Sequence, residues 1–218
     1  EATPTPFSGF MAWGSQAVLS LSPERFIQCR DGLVETRPIK GTRPRGRTPE
    51  EDRALSDELL SSTKDRAENV MIVDLLRNDL GRVCTPGSIR VPQLCQLESY
   101  PNVHHLVSVV QGQLAAQHSP LSLLTAAFPG GSITGAPKIR AMQIIDELEP
   151  CQRSVYCGSL GYIDVRGSMD TSIAIRTMVA DDGALHVWGG GGLVADSKAD
   201  EEYTETLDKI RHLIDALE

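Results

Sequence analysis

The chain has 218 residues, 40% hydrophobic and 23% charged, the make-up of an ordinary folded protein, which excludes a disordered, collagen-like or low-complexity chain. Its 21 Lys and Arg against 29 Asp and Glu leave a net charge of −8, a balance that repels a phosphate backbone, so no nucleic-acid partner is expected. No apolar run approaches the roughly 18 residues of a membrane span, and residues 1–8 lack the layout of a secretory signal, so the sequence predicts a cytoplasmic protein with no membrane partner. Cys29, Cys84, Cys95, Cys151 and Cys157 form no C-x-x-C pair and leave an odd one over, which points to reduced thiols rather than a disulfide framework or a zinc site. At roughly 150 residues per domain the chain is one large domain or a portion of a larger one. It opens on Glu1 and reaches strand-like sequence by Phe7, so residues are expected to precede it.

In chain order, strands are predicted at 7–13, 17–20, 25–29 and 33–37, separated by Gly14, Ser22-Pro23 and Asp31-Gly32, as in an antiparallel meander. A loop rich in Arg, Gly and Pro follows at 38–49. Helices are predicted at 49–62, with acidic residues in the first turn, and at 65–79, closed by Gly81 and apolar nearly all round. Short strands at 89–91, 94–99 and 103–114 lead to a helix at 121–128, a glycine-rich loop at 129–135 and a helix at 136–148 with Pro137 in its first turn. Strands at 155–165, 169–180 and 185–188 are joined by turns at Arg166-Gly167 and Asp181-Asp182-Gly183. Four glycines, 189–192, precede a closing helix at 198–217 with Tyr203, Leu207, Ile210, Ile214 and Leu217 on one face. Strands and helices come in blocks, which predicts α+β with mostly antiparallel sheets and flanking helices.

Several residues have the chemistry of a site. On the closing helix Glu202, Glu205 and Lys209 share one flank; this is the spacing of a solvated face with a Glu205–Lys209 ion pair, and equally of two carboxylates facing Mg²⁺. Asp65 and Glu68 repeat the i, i+3 spacing just before an apolar run, where a carboxylate needs water, an arginine or a metal. Lys40, in Pro38-Ile39-Lys40-Gly41-Thr42, lies among Arg37, Arg43 and Arg45, and neighbouring positive charge favours the neutral, nucleophilic form of an amine; a solvated loop lysine is the plainer reading. Gly41 and Thr42 offer an N–H and a hydroxyl to an anion close by.

Residues 130–138 lack the Gly-Lys-Ser/Thr ending of a nucleotide-binding loop. What remains there, and at 189–192, is backbone N–H groups to aim at a carboxylate, or simple turns. His104 and His105 are adjacent in a predicted strand and so face opposite ways. Arg176, with apolar neighbours, calls for an anion, best a carboxylate.

Five ordered motifs, Ser22-Pro23-Glu24-Arg25-Phe26, Pro38-Ile39-Lys40-Gly41-Thr42, Asp65-Arg66-Ala67-Glu68-Asn69, residues 131–138 and the loop 189–195, resemble the chorismate-utilising enzymes, which include anthranilate, isochorismate, salicylate and aminodeoxychorismate synthases. The similarity runs over nearly the whole chain and matches the C-terminal part of a longer family chain, so residues 1–218 are read as the C-terminal portion of a chorismate-binding catalytic domain. The resemblance implies a two-lobed α+β sandwich with its site in a cleft. It also implies Mg²⁺ held by Glu68 and Glu205 with Glu202 and Asp65 in support. Chorismate would be contacted by Gly41, Thr42, Tyr156, Arg176, Gly190, Gly191, Gly192 and Lys209. Lysine at position 40, where anthranilate synthases typically carry alanine, resembles the members that aminate chorismate to 4-amino-4-deoxychorismate. Lys40 would then be the nucleophile, Glu24 a general acid and His105 a neighbour of the leaving group, with ammonia from a separate glutamine amidotransferase subunit. The alternatives are anthranilate synthase, isochorismate or salicylate synthase, and an inactive binding domain of the same fold.

Overall fold

The structure is a computed structural model that describes residues 5–195 and 197–217. Glu1, at which the sequence reading expects a preceding segment, lies outside the described residues. The elements, in order, are β1 (Phe7–Trp13), β2 (Gln16–Ser22), β3 (Arg25–Arg30), β4 (Leu33–Thr36), β5 (Ile39–Pro44), α1 (Pro49–Ser61), α2 (Thr63–Gly81), β6 (Arg90–Ser99) and β7 (Val103–Gln113). Then come α3 (Pro120–Ala127), a 3-10 turn (Gly131–Ile133), α4 (Lys138–Leu148), β8 (Ser159–Ile163), β9 (Met169–Ile173), β10 (Thr177–Asp181), β11 (Ala184–Val187) and α5 (Ala199–Asp215). Every strand pairing with a stated register is antiparallel, so the α+β expectation holds. Among the described residues no helix is long and apolar enough to cross a membrane. The chain divides into two compact units, one of Phe26–Leu148 with Tyr162–Asp170, the other of the segment ending at Arg25, Glu149–Gly161 and the chain from Thr171 on.

The larger unit is built on β7. Its run Val107-Ser108-Val109-Val110 is buried on both faces, as a central strand rich in β-branched residues should be. β4 and β5 line one edge of β7 in succession and β6 lines the other, with β3 paired to the far edge of β4. α2 packs on this sheet through Ile72, Val73, Leu76 and Leu80. Burying one such side chain contributes about 1.5–3 kcal/mol. Asn69, fully buried on the same helix, donates from Nδ2 to the Leu106 carbonyl at 3.1 Å, and its Oδ1 accepts from the Ser108 hydroxyl, which in turn accepts from the Cys95 N–H. The helices start on side-chain caps: Thr48 accepts from Glu51, Ser62 from Asp65, and Ser119 forms a capping box with Ser122.

The smaller unit holds a four-stranded sheet in the order β1-β2-β10-β11 and the helix α5. β2 alternates buried and half-buried positions, with Ser20 Oγ and Thr177 Oγ1 hydrogen-bonded at 2.8 Å inside the sheet. β1 is an edge strand with Phe10, Met11 and Trp13 exposed.

Six expectations are corrected. The four opening strands do not run as one meander, because β2 pairs with β1 and β10 in the four-stranded sheet while β3 pairs with β4 in the other sheet. The stretch read as a loop at 38–49 contains β5, because pairing with β7 overrides the local preference of Pro and Gly. Helix α2 is apolar on one face only, with Val70 and Met71 exposed. Pro137 precedes α4 rather than opening it. The strand read at 169–180 is broken by Ala174, Ile175 and Arg176, and Arg176 adopts φ +50°. On α5 the inward side is turned by about one residue from the predicted apolar stripe: Leu213 is buried, Glu202, Thr206, Lys209 and Ile210 are half-buried, and Tyr203, Ile214 and Leu217 are exposed.

Candidate active site

In the larger unit, β5 does not pair evenly with β7. Ile39 faces Val107 and Thr42 faces His105, so Lys40 and Gly41 occupy a register irregularity of the bulge kind. A bulge re-aims the side chain it carries and recurs beside active sites. Gly41 sits at φ +83°, and a Cβ there would stand 2.8 Å from Leu59 Cδ1 and 2.9 Å from Asp65 Cβ, so glycine is required twice over. Lys40, half-buried, donates from Nζ to the Ser132 carbonyl at 3.4 Å, and among the described residues no carboxylate pairs with it. Its arginine neighbours are otherwise engaged: Arg37 with Glu98, Arg43 with Glu58 and Asp65, Arg45 with Asp52. The positive field the sequence suggests around Lys40 is therefore largely offset. Arg45 beside Asp52 holds that carboxyl well below the usual range.

Thr42 Oγ1 and His105 Nδ1 lie 2.9 Å apart across the strands, with the Tyr100 ring centroid 5.6 Å from that of His105. His104, on the other face, is buried between Ser99 and Asp52 and serves packing. Asp65 is held by Arg43 at 3.4 Å, and Glu68 is half-buried one turn further along α2. The 130–135 loop spends two N–H groups internally, Thr134 and Gly135 both donating to the Gly131 carbonyl, and its Ser132 carbonyl is the acceptor for Lys40.

In the smaller unit the glycine run 189–192 passes beside α5. Lys209 Nζ donates to the Gly190 carbonyl at 3.3 Å and pairs with Glu205 at 2.6 Å, the ion pair the spacing predicts. A Cβ on Gly191 would meet Glu202 Oε2 at 3.1 Å, and one on Gly190 would meet the Tyr156 hydroxyl at 2.8 Å. Gly192 is exposed at the end of the run. Tyr156 stacks on Trp188 with centroids 6.4 Å apart and planes 8° from parallel, and burial, then the nearby Cys157, pushes its phenol well above its ordinary range. Ser197, which sequence reasoning missed, donates to Glu202 Oε1 at 2.5 Å and accepts from the Val194 N–H, fixing that carboxylate against the loop.

Burial lowers the Arg176 guanidinium from its usual value, and among the described residues no carboxylate pairs with it. A largely desolvated cation without a counter-ion is a place for an anion. Its electrostatic neighbour His212, also missed, is depressed by burial and then by Arg176, and its Nε2 is buried without a hydrogen-bond partner among the described residues. Glu24, 8% exposed, receives the Ile173 N–H on its backbone carbonyl.

The structure thus brings Lys40, Gly41, Thr42, His105 and Asp65 together in one unit, with Glu68 on the same helix as Asp65. It gathers Tyr156, Gly190, Gly191, Glu202, Glu205 and Lys209 in the other, which also carries Glu24, Arg176 and Gly192. Among the described residues neither unit by itself gathers three His, Cys, Asp or Glu side chains as metal ligands; Asp65 and Glu68 on α2, and Glu202 and Glu205 on α5, are carboxylates a helical turn apart. Such hard oxygen donors fit Mg²⁺, which takes one or two carboxylates and completes its shell with water and substrate oxygens.

Residues 1–215 match the family of chorismate binding enzymes. The chain belongs to that family. It is 58% identical over its whole length to aminodeoxychorismate synthase component 1 of Klebsiella aerogenes, of which it covers 48%. It is 51% identical over 98% of its length to anthranilate synthase component 1 of Pseudomonas putida, covering 43% of that protein. The crystal structure of anthranilate synthase component I from Streptococcus pneumoniae superposes on 96% of the chain with a TM-score of 0.87 at 41% identity, 46% of that structure being matched. The chain therefore spans about half the length of the curated relatives it matches, and its mixed antiparallel fold is that of the chorismate-binding family.

Proposed function

We propose that this chain is part of an aminodeoxychorismate synthase that aminates chorismate with ammonia, giving 4-amino-4-deoxychorismate for para-aminobenzoate and folate synthesis. The observation that carries the reading is the bulge in β5, which turns a half-buried lysine without a carboxylate partner out of a regular strand. A second support is identity of 55–58% to three proteins named aminodeoxychorismate synthase component 1, against 48–51% to two anthranilate synthases.

The reaction runs in two allylic substitutions. Lys40 Nζ, as the free amine, forms a bond to ring carbon C2; the two conjugated ring double bonds each move one position along the ring and the C4–oxygen bond breaks, with Glu24 giving the proton that lets the hydroxyl leave as water. His105, positioned by Thr42, attends that leaving group. Ammonia then bonds to C4, both double bonds move back and the C2–nitrogen bond breaks, returning Lys40 as the amine, leaving the enolpyruvyl group in place and letting the new ammonium return a proton to Glu24. A covalent intermediate divides one hard displacement into two easier ones.

Chorismate is a dicarboxylate, and the anion-binding groups proposed for it are Arg176, Lys209, Tyr156, the Gly41–Thr42 segment and the backbone of 190–192. Glu68 and Glu205, with Glu202 and Asp65 in support, would hold Mg²⁺, which would neutralise a carboxylate of the substrate. The ammonia would come from a glutamine amidotransferase subunit, in keeping with the "component 1" in the relatives' names. All five cysteines are free, which supports a reducing cytoplasmic setting. The intact protein, given chorismate, Mg²⁺ and ammonia, should form 4-amino-4-deoxychorismate by chromatography; accumulation of anthranilate or isochorismate would overturn the assignment.

A further inference from the structure

Asp79, on the last turn of α2, is 1% exposed, and Lys138 opens α4. Lys138 Nζ donates to Asp79 Oδ2 at 2.6 Å and to the Ala127 carbonyl at 2.9 Å. Ala127 ends α3, so one ammonium closes the segment 128–137 at both ends and ties it to α2. The same segment is held on α2 at a second point, since a Cβ on Gly131 would stand 2.4 Å from Leu75 Cδ2. Between these anchors Ser132 presents the carbonyl that receives Lys40 Nζ at 3.4 Å.

A buried carboxylate is a poor way to gain stability. Desolvation offsets much of the attraction, and apolar residues of similar volume often hold a fold as well or better. Here the attraction does not fully offset the desolvation, because Asp79 Oδ1 is buried without a hydrogen-bond partner among the described residues, Arg82 standing 3.9 Å away. What an ion pair supplies that apolar packing does not is a defined position. We propose that Asp79 and Lys138 are positioning residues: they set where segment 128–137 closes, so that the Ser132 carbonyl orients the Lys40 amine. This rests on Lys40 being the nucleophile of the proposed function.

The test uses the intact protein with three readouts: thermal midpoint, the rate at which acetic anhydride acetylates Lys40 relative to an internal reference amine, read by peptide mass spectrometry, and steady-state amination of chorismate. An Asp79→Leu/Lys138→Met double variant should keep its thermal midpoint yet change the Lys40 acetylation rate by at least about threefold and lower kcat by about tenfold to 100-fold, with KM nearly unchanged. Lys138→Arg should restore most of both. A Gly131→Ala variant displaces the same segment without touching the ion pair and should reproduce the change at Lys40, with Leu75→Ala reversing it. Wild-type acetylation and kcat in a folded double variant, or in Gly131→Ala where the double variant does not fold, would overturn the proposal. A fully active Lys40→Ala protein would sink the functional reading alone, because the acetylation result does not depend on turnover.

Discussion

The two units place chemistry on opposite kinds of support. In the larger one Lys40 rides on a bulge over fully buried Leu59, Leu106 and Val107, and the buried Asn69–Ser108 network locks helix to strand. In the smaller one Tyr156 and Lys209 stand against a run of bare glycine backbone, in a unit whose sheet exposes the apolar side chains Phe10, Met11, Trp13 and Leu185. The difference teaches that a nucleophile and a binding surface make different demands. One attacking atom has to be held by a dense core, whereas close approach of a carboxylate asks for the absence of side chains.

The largest way to break this comparison is Lys40→Ala. It should lower amination by at least about 10³-fold while leaving the circular dichroism spectrum and thermal midpoint unchanged. An effect on folding with activity retained would place Lys40 among packing residues. Next come core truncations. Leu59→Ala should cost about 2–5 kcal/mol in denaturant unfolding, whereas Leu185→Ala, at a half-exposed position, should stay within about 0.5 kcal/mol.

A third contrast sets one glycine against another. Gly41→Ala meets both a positive φ and contacts under 3.0 Å, and should destabilise by more than about 1 kcal/mol. Gly191→Ala brings a Cβ to 3.1 Å from the Glu202 carboxylate and to ordinary contact, 3.9 Å, with Lys209 and Thr206, and should weaken chorismate binding by calorimetry while leaving stability unchanged.

A smaller effect is expected from His212, which Arg176 and Asp215 face. Its folded value is depressed, so the unfolded chain binds more protons and stability falls as pH drops through about 6.5. Above that pH the penalty is absent. His212→Asn should flatten the pH dependence of the thermal midpoint there, and an unchanged slope would remove His212 from the account. The smallest difference is in thiol chemistry. Exposed Cys151 should react first with a maleimide, while burial pushes Cys84 and Cys157 each up to about 11 and keeps both unreactive in the folded protein.

Much of the architecture was legible wherever one face of an element is buried and the other is not. The β1–β2 and β3–β4 hairpins, helices α1 and α3 and the closing hairpin follow from alternation, caps and turn residues, whereas the assignment of the two opening hairpins to different sheets does not. β5 was not legible, because Pro38, Gly41 and Pro44 are loop residues until β7 supplies a partner strand. The inward side of α5 was misjudged because the glycine run accepts Glu202, Thr206 and Lys209 against it, where hydropathy favoured Tyr203 and Ile214.

Within the candidate site, Lys40, the Glu205–Lys209 pair and the Thr42–Gly41 segment were visible as motifs or helical spacing. Ser197 on Glu202, His212 near Arg176 and Lys138 on Asp79 were not. In the last case the partners lie 59 positions apart, and no periodicity signals such a pairing. The lysine in Gly135-Ala136-Pro137-Lys138 was the available hint.

The central claim is that Lys40 bonds to the substrate ring. The most direct measurement is peptide mass spectrometry of the intact protein incubated with chorismate and Mg²⁺ in the absence of ammonia. A covalent adduct is expected on the peptide that contains Lys40, lost on addition of ammonia as 4-amino-4-deoxychorismate appears. Product formation at the wild-type rate by a Lys40→Ala protein, with no adduct at position 40 in the wild type, would contradict it.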